Sequence, residues 1–229
     1  MRFILIRHAE TEWNREGRYQ GQSDISLSPQ GILQVKLLAQ SLKDIKIDRI
    51  YSSPLRRALD TAQELAKDRN LEVIADVRLR ELNFGPWDGL TRSELKDRFG
   101  EGFQSYRREP FFYPIPGEGS LNRARLRVGE AVEDILDQFR GTDKTIAIVT
   151  HGGILKLIIY YLLDISDRFY RCIELGNTSV SIIDVLKDRI MLQLLNDLHH
   201  LWNSKGQYVF DIKDYNAESE AEKNENFSG

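Results

Sequence analysis

Short unbroken apolar runs alternate along this chain with longer stretches in which apolar residues recur at helical spacing. Phe3, Ile4, Leu5 and Ile6 form the first run, and polarity switches on directly after it with Arg7, His8, Glu10, Thr11, Glu12 and Asn14. A continuous run of this length fits a strand buried on both faces of a parallel sheet. A polar loop over Glu10–Ser26 follows. Ser28-Pro29 then opens a helix, with serine as N-cap and proline at the first helical position; Ile32, Val35, Leu38, Ala39 and Leu42 carry its period. Ile47–Tyr51 predicts a second strand, Leu55–Lys67 a helix burying Leu55, Leu59, Ala62, Leu65 and Ala66, and Leu71–Ile74 a third strand. Strand, helix, strand, helix, strand is the order of a parallel α/β sheet.

From Arg80 to Gly119 the pattern loosens. Glu81–Gly89 is turn-rich, Thr91 and Glu94 form a capping box opening a short helix to about Phe99, and aromatics and prolines crowd Phe103–Pro116. An irregular insertion of this kind is more often a functional lid than a neutral linker. A long helix is predicted from about Ser120 to Phe139, a fourth buried strand at Ile146–Val149, and a helix from Thr150-His151-Gly152-Gly153 to Leu163. Two last strands, Thr178–Leu186 and Arg189–Asn196, flank a Lys187-Asp188 turn. There is no internal repeat and no second core. The expected fold is therefore an α/β three-layer sandwich, with a mostly parallel central sheet, helices on both faces and a small irregular cap insertion at about 82–119. A single domain is expected over 1–213, with a disordered acidic tail over 214–229.

Composition narrows the partners. The chain has 229 residues, 41% of them hydrophobic, and a formal net charge of -3. That is enough for one real core, and it gives no basic footprint for nucleic acid. Asp214, Glu218, Glu220, Glu222 and Glu225 stand against Lys223 in the tail, so the body is close to neutral. The single cysteine, Cys172, excludes an intramolecular disulfide and a thiolate metal cage, and is expected as a small core residue. The first residues are too short an apolar run for a signal peptide, and Ile154–Leu163, broken by Lys156, falls short of a membrane span. The expectation is a soluble, cytoplasmic protein without nucleic-acid or membrane partners. An exposed edge near Thr178–Leu186, or the Tyr208–Ile212 run, offers a contact for a homodimer.

Candidate chemistry sits at strand ends, where open α/β sheets bind ligands. The first strand ends in Arg7-His8 and the fourth in His151, two of only four histidines. The second ends in Ser52-Ser53-Pro54, followed by Arg56 and Arg57 in the first helical turn. Arg-His by itself ends many strands without chemical purpose, and Glu81 by itself is a surface carboxylate. Arginines at a helix N-terminus are misplaced against the macrodipole unless an anion sits there, and helix N-termini and guanidinium groups both bind phosphate.

Together these motifs resemble the histidine phosphatase superfamily, also called phosphoglycerate mutase-like. Its opening Arg-His-Gly-x-Ser/Thr-x-x-Asn stands here as Arg7-His8-Ala9-Glu10-Thr11-Glu12-Trp13-Asn14, with Ala9 for the usual glycine. Gly21, Asp24, Leu27, Ser28 and Gly31 match the next pattern, and Ser53–Ala62 matches the Ser-Pro-Leu-x-Arg-Ala-x-x-Thr-Ala helix. Arg80–Gly89 matches the Arg-Glu-x-x-x-Gly-x-Trp-x-Gly loop, Thr150–Gly153 the second histidine motif, and Asn196–Leu201 the closing Asn-x-x-x-His-Leu. The likeness covers about residues 1–205 in order.

The resemblance implies that His8 is the nucleophile, forming a phosphohistidine. It implies that Arg7, Arg57 and His151 hold the phosphoryl oxygens, and that Glu81 protonates the leaving alkoxide and then accepts a proton from water. Asn14, Thr11, Gly21 and Gly152 are implied as supporting contacts. No metal and no cofactor are implied, the cationic groups standing where a metal stands elsewhere. Arg56 is expected to be solvated, and His199 and His200 to be structural contacts at most. Phe84, Trp87, Phe111, Phe112 and Tyr113 are either cap core or substrate-facing wall. The family's Gly-Glu-Ser is replaced by Glu118-Gly119-Ser120, which displaces an acidic side chain and can alter substrate preference. Arg107, Arg108, Arg123, Arg125 and Arg127 are either a second anion site or a solvated basic face.

Within the family, the short aromatic insertion and the Asn83-Phe84-Gly85-Pro86-Trp87 loop resemble the phosphatase branch, above all the α-ribazole and broad-specificity members. The metal-independent phosphoserine phosphatases commonly carry His at the position of Phe84. A small phosphorylated metabolite, an α-ribazole phosphate or a sugar or glycerate phosphate, is the implied partner. The alternatives are a mutase-type phosphoryl transfer and a catalytically inactive module that binds a phospho-ligand.

Overall fold

β1 (Arg2–Arg7) forms over the first apolar run and is buried on both sides. Its residues alternate between two cores. Phe3 and Leu5 join one cluster, Ile4 and Ile6 the other, as the two-residue period of a strand requires. The computed structural model describes residues 1–203, which divide into a unit over Met1–Leu198 and a second unit beginning at His199.

In the first unit the order is β1, α1 (Glu12–Arg15), α2 (Pro29–Ser41), β2 (Arg49–Ser52), α3 (Arg56–Lys67), β3 (Val73–Ala75), α4 (Arg92–Arg108), α5 (Leu121–Phe139), β4 (Thr145–Thr150), α6 (Gly152–Leu163), β5 (Val180–Val185) and β6 (Ile190–Asp197). The sheet order is β3-β2-β4-β1-β5-β6. The first four strands in that order are parallel, and β5 and β6 are antiparallel additions. Side chains of α5 and α6 cover one face together with the insertion, through Leu82, Phe84, Trp87, Leu95, Phe103, Phe111 and Ile115. Side chains of α2 and α3 cover the other. The three-layer α/β expectation holds, with the cap packed into one layer's core.

The differences have local causes. The Glu10–Ser26 loop contains α1, because Thr11 caps the Asn14 amide and Asn14 Oδ1 accepts from the Thr11 amide, a capping box with asparagine at its third position. α4 does not stop near Phe99. Gly100 takes φ +49, and beyond that kink Phe103, Ser105 and Tyr106 are buried, so packing carries the helix past its stop signal to Arg108. Thr178–Leu186 is not an edge: β5 pairs with β1 on one side and β6 on the other. Cys172 is exposed rather than in the core, since it lies in the loop after the Asp167–Phe169 turn, where Arg171 is exposed as well.

No helix among the described residues is long and apolar enough to cross a membrane. In the second unit His199–Leu201 form one 3-10 turn, with the His199 and Trp202 rings 5.9 Å apart. The Tyr208–Ile212 run, the boundary expected at 213 and the acidic tail lie outside the described residues.

Candidate active site

Sheet order brings distant residues together. β4 lies between β1 and β2, with Arg7 opposite Thr150 and Ser52 opposite Val149. The ladder continues one residue further on each side: His8 donates its amide to Thr150 O at 2.8 Å, and Ser53 to Val149 O at 3.0 Å. His8, Ser53 and His151 therefore emerge side by side at the carboxyl ends of three neighbouring strands. Asn177 and Thr178 pin the turn at the end of β1; the Asn177 amide donates to His8 O at 2.9 Å, and the Thr178 N–H to Arg7 O at 3.1 Å.

His8 is buried, and its Nδ1 lies 2.7 Å from the Ala9 carbonyl. A carbonyl can only accept, so Nδ1 carries the proton and Nε2 the lone pair. Burial, then the charges of Arg57 and Arg7, hold this imidazole well below its usual pKa and keep it neutral. His151 is fully buried with its ring centroid 5.1 Å from that of His8. Burial, Arg57, His8 and Arg7 depress it in the same way. Its Nε2 meets Ser53 Oγ at 2.8 Å, and its buried Nδ1 has no partner among the described residues.

Arg57 is 1% exposed. Its Nη1 donates to Ser23 O and its Nη2 to Gly21 O, each at 2.7 Å, while the buried Nε has no partner among the described residues. Burial lowers its pKa to about 10, opposed by the carboxylates of Glu81 and Asp24. Arg7 is half-buried, and its Nη1 donates to Leu175 O at 2.5 Å. The expectation of an anion at the start of α3 is met in part from inside the protein: Asp24 Oδ1 accepts the Arg56 amide at 2.7 Å and caps the helix. Arg56 itself is exposed and pairs with Asp60.

Glu81 is half-buried rather than a free surface carboxylate. Its Oε1 accepts from the Leu82 amide at 2.9 Å and its Oε2 from the Gly153 amide at 3.3 Å, in the first turn of α6. A β-carbon at Gly153 would stand 2.7 Å from Oε1, so only glycine lets the carboxylate approach. The Glu81 carbonyl accepts from Gln22 Nε2 at 3.0 Å and from Arg127 Nη2 at 3.2 Å. Arg127 also holds the carbonyls of Arg78 and Arg80, and its Nε pairs with Glu118 at 3.0 Å. Glu118 accepts the Asn83 amide at 2.8 Å. The displaced Glu118 and one arginine of the supposed basic face thus clamp the Glu81 loop from behind.

The supporting residues fall into different places. Asn14 Oδ1 accepts from the Thr11 amide, the Thr11 hydroxyl and Asn177 Nδ2. Gly21 lies behind Arg57, and with φ +49 a β-carbon there would strike Asp88 Oδ1. Gly152 lies against Arg7, where a β-carbon would stand 3.5 Å from Nε. Phe84, Trp87 and Phe111 are buried cap core, Tyr113 packs against them, and Phe112 is 84% exposed. Ser53, Gln22, Gly153 and Asn177 were not singled out from the sequence, and Arg127 was named only as part of a second anion site or a solvated basic face. Ser53 and Gly153 stood inside matched motifs; Asn177 carried only the mark of a turn residue before a strand.

The family model described as histidine phosphatase superfamily (branch 1) matches residues 3–198. Phosphoserine phosphatase 1 of Hydrogenobacter thermophilus is 36% identical over 201 residues, covering 88% of this chain and 94% of its own. A crystal structure of a phosphoserine phosphatase mutant from Entamoeba histolytica, in complex with phosphoserine, superposes with TM-score 0.78 at 35% identity, over 87% of this chain and 98% of that one. The α-ribazole phosphatase of Shigella flexneri also gives TM-score 0.78, at 28% identity, over 86% and 96%. With paired strand-end histidines, a buried Arg57 and this likeness along nearly the whole described chain, the protein belongs to branch 1 of the histidine phosphatase superfamily.

Proposed function

We propose that the protein is a phosphomonoesterase that hydrolyses a small phosphorylated metabolite through a phosphohistidine on His8. One observation carries this: the His8 Nδ1 proton is committed to the Ala9 carbonyl, which leaves a lone pair on Nε2 of a ring kept neutral beside Arg57 and Arg7. Nε2 attacks phosphorus in line as the ester P–O bond breaks, and Glu81, protonated, gives its proton to the departing alkoxide. Glu81 then takes a proton from water, whose oxygen attacks the phosphohistidine; the P–N bond breaks, releasing inorganic phosphate and restoring neutral His8. Arg7, Arg57 and His151 Nδ1–H bind the phosphoryl oxygens, with Ser53 Oγ–H donating to His151 Nε2 to set that tautomer. Thr11 and Asn14 brace the loop after β1, and Asn14 offers its Nδ2 protons to the phosphoryl group. Gly21 positions Arg57 by accepting from its Nη2, and Gly152 stands beside Arg7.

Phosphoserine joins α-ribazole phosphate and sugar or glycerate phosphates as a substrate to test, because the relatives named above act on or bind the first two. Phe84 is a weak guide against it, being buried in the cap's aromatic cluster. The unit Met1–Leu198, with its insertion at 82–119, carries every residue of the proposed site. A cytoplasmic location and a homodimer belong to the same reading; with β5 interior, the dimer contact moves to β6, where Ile190, Leu192 and Leu195 are exposed. The test is phosphate release from p-nitrophenyl phosphate in excess EDTA, by the wild type and His8→Ala. Turnover that vanishes in the variant supports a metal-independent, histidine-dependent phosphatase. No turnover by folded wild type rejects it in favour of a mutase or a binding module.

A further inference from the structure

Lys156 stands on α6 one turn beyond the residues that touch the site. Gly152, which lies against Arg7, and Gly153, which donates to Glu81, are four and three residues before it, on the same side of the helix. A helical side chain leans back over the turn N-terminal to it, so the lysine stem runs toward Arg7 and Glu81. Its ammonium lies 5.3 Å from the centroid of the Tyr170 ring, and Lys156 makes no hydrogen bond or ion pair with any described residue. The charged groups that act on it are Glu174, Arg7, Glu81 and Arg171. Burial lowers its pKa, opposed by the Glu174 and Glu81 carboxylates.

The surroundings tell which part of a substrate would meet it. Arg57, Arg7 and His151 gather around His8, where the phosphoryl group is proposed to bind. Lys156 feels one member of that group, Arg7, together with Glu174 and Glu81, the proposed acid for the leaving group, and its ammonium lies over the Tyr170 ring. An organic leaving group held at Glu81 would extend toward Lys156, three residues along α6 from the Gly153 amide that Glu81 accepts. A half-buried ammonium without an ion partner is costly in a resting protein, and a ligand anion would relieve that cost.

We infer that Lys156 is a specificity-determining residue that receives a second anionic group, a carboxylate or a second phosphate, on the leaving-group side of the substrate. The inference rests on the phosphomonoesterase reading. A lysine suits either anion, acting as a compact point charge.

The test compares esters that differ in one charge, using wild type, Lys156→Met and Lys156→Arg, each with its thermal midpoint checked. The pairs are 3-phosphoglycerate against glycerol 3-phosphate, and fructose 1,6-bisphosphate against fructose 6-phosphate, with p-nitrophenyl phosphate as common reference. Lys156→Met should lower kcat/KM by about 10- to 100-fold, mainly through KM, for the member with the extra anion. The reference and the singly charged members should stay within about twofold, and Lys156→Arg should recover most of the loss. Loss confined to the first pair assigns a carboxylate; loss confined to the second assigns a phosphate. An equal loss on every ester, or no selective loss on either pair, overturns the role of Lys156 while leaving the phosphatase reading intact. A folded wild type that hydrolyses none of the five esters overturns both.

Discussion

His8 and His151 stand with ring centroids 5.1 Å apart, inclined by 60°, at the ends of two adjacent parallel strands. Both are buried, and both are pushed well below the ordinary imidazole pKa of 6.5, first by burial and then by charges that include Arg57.

This pair makes stability depend on pH. Above pH 6.5 each ring is neutral whether the chain is folded or not, so it contributes nothing. Below that value the unfolded rings take protons that the folded rings refuse, so stability falls as pH drops from 6.5 toward the folded pKa values. The slope is about 1.4 kcal/mol per pH unit for each ring. Unfolding free energies from urea titrations at about pH 7.5 and pH 5.5 should therefore differ by roughly 2–3 kcal/mol in phosphate-free buffer. His151→Gln should show a shallower slope; an unchanged slope would contradict burial of a neutral ring.

Glu81 accepts two backbone amides and is proposed as the acid that serves the leaving group. Glu81→Gln should slow hydrolysis of an alkyl phosphate by about 10²–10⁴-fold. With p-nitrophenyl phosphate, whose phenolate departs without a proton, the formation of phosphohistidine should be slowed far less. Equal losses of that first step on both esters, followed by rapid quench, would remove Glu81 from leaving-group protonation.

Arg127 ties three carbonyls and Glu118 together behind the Glu81 loop. Arg127→Met leaves Glu118 without its cation and frees the loop. The expected cost is roughly 3 kcal/mol of unfolding free energy, seen as a lower urea midpoint, from stranding a largely buried carboxylate. Reduced kcat on alkyl phosphates should accompany it. A neutral midpoint with full activity would show that the clamp is idle.

The fold was legible because its signals were local and consistent. FILI at Phe3–Ile6 and IAIV at Ile146–Val149 are buried strands by composition alone, and Ser28-Pro29 starts α2 where the cap and the first-turn proline require. What was not legible depended on partners remote in sequence. Nothing around Gly100 announces that α4 continues, because the reason is burial of Phe103 and Tyr106 in the cap. Nothing around Asp24 announces that it caps α3, thirty-two residues on. Within the site, His8, Arg57, Glu81 and His151 were named from motifs, and the structure brings them together. Of the residues that fix their protons and orientation, Asn177, Gly153 and Arg127 bond to or through backbone groups and carry little signature of their own, while Ser53 acts through its hydroxyl on His151 from inside a matched motif. Cys172 shows the opposite error: its apolar character suggested the core, but its loop is exposed.

The most direct test of the account is the covalent intermediate on His8. Wild type mixed with p-nitrophenyl phosphate in excess EDTA, quenched within the first turnover and digested under alkaline conditions, should yield the peptide containing His8 heavier by one phosphoryl group. His8→Ala should yield neither the adduct nor turnover. A phosphoryl group on another residue, or full turnover by His8→Ala, would contradict the role assigned to this imidazole.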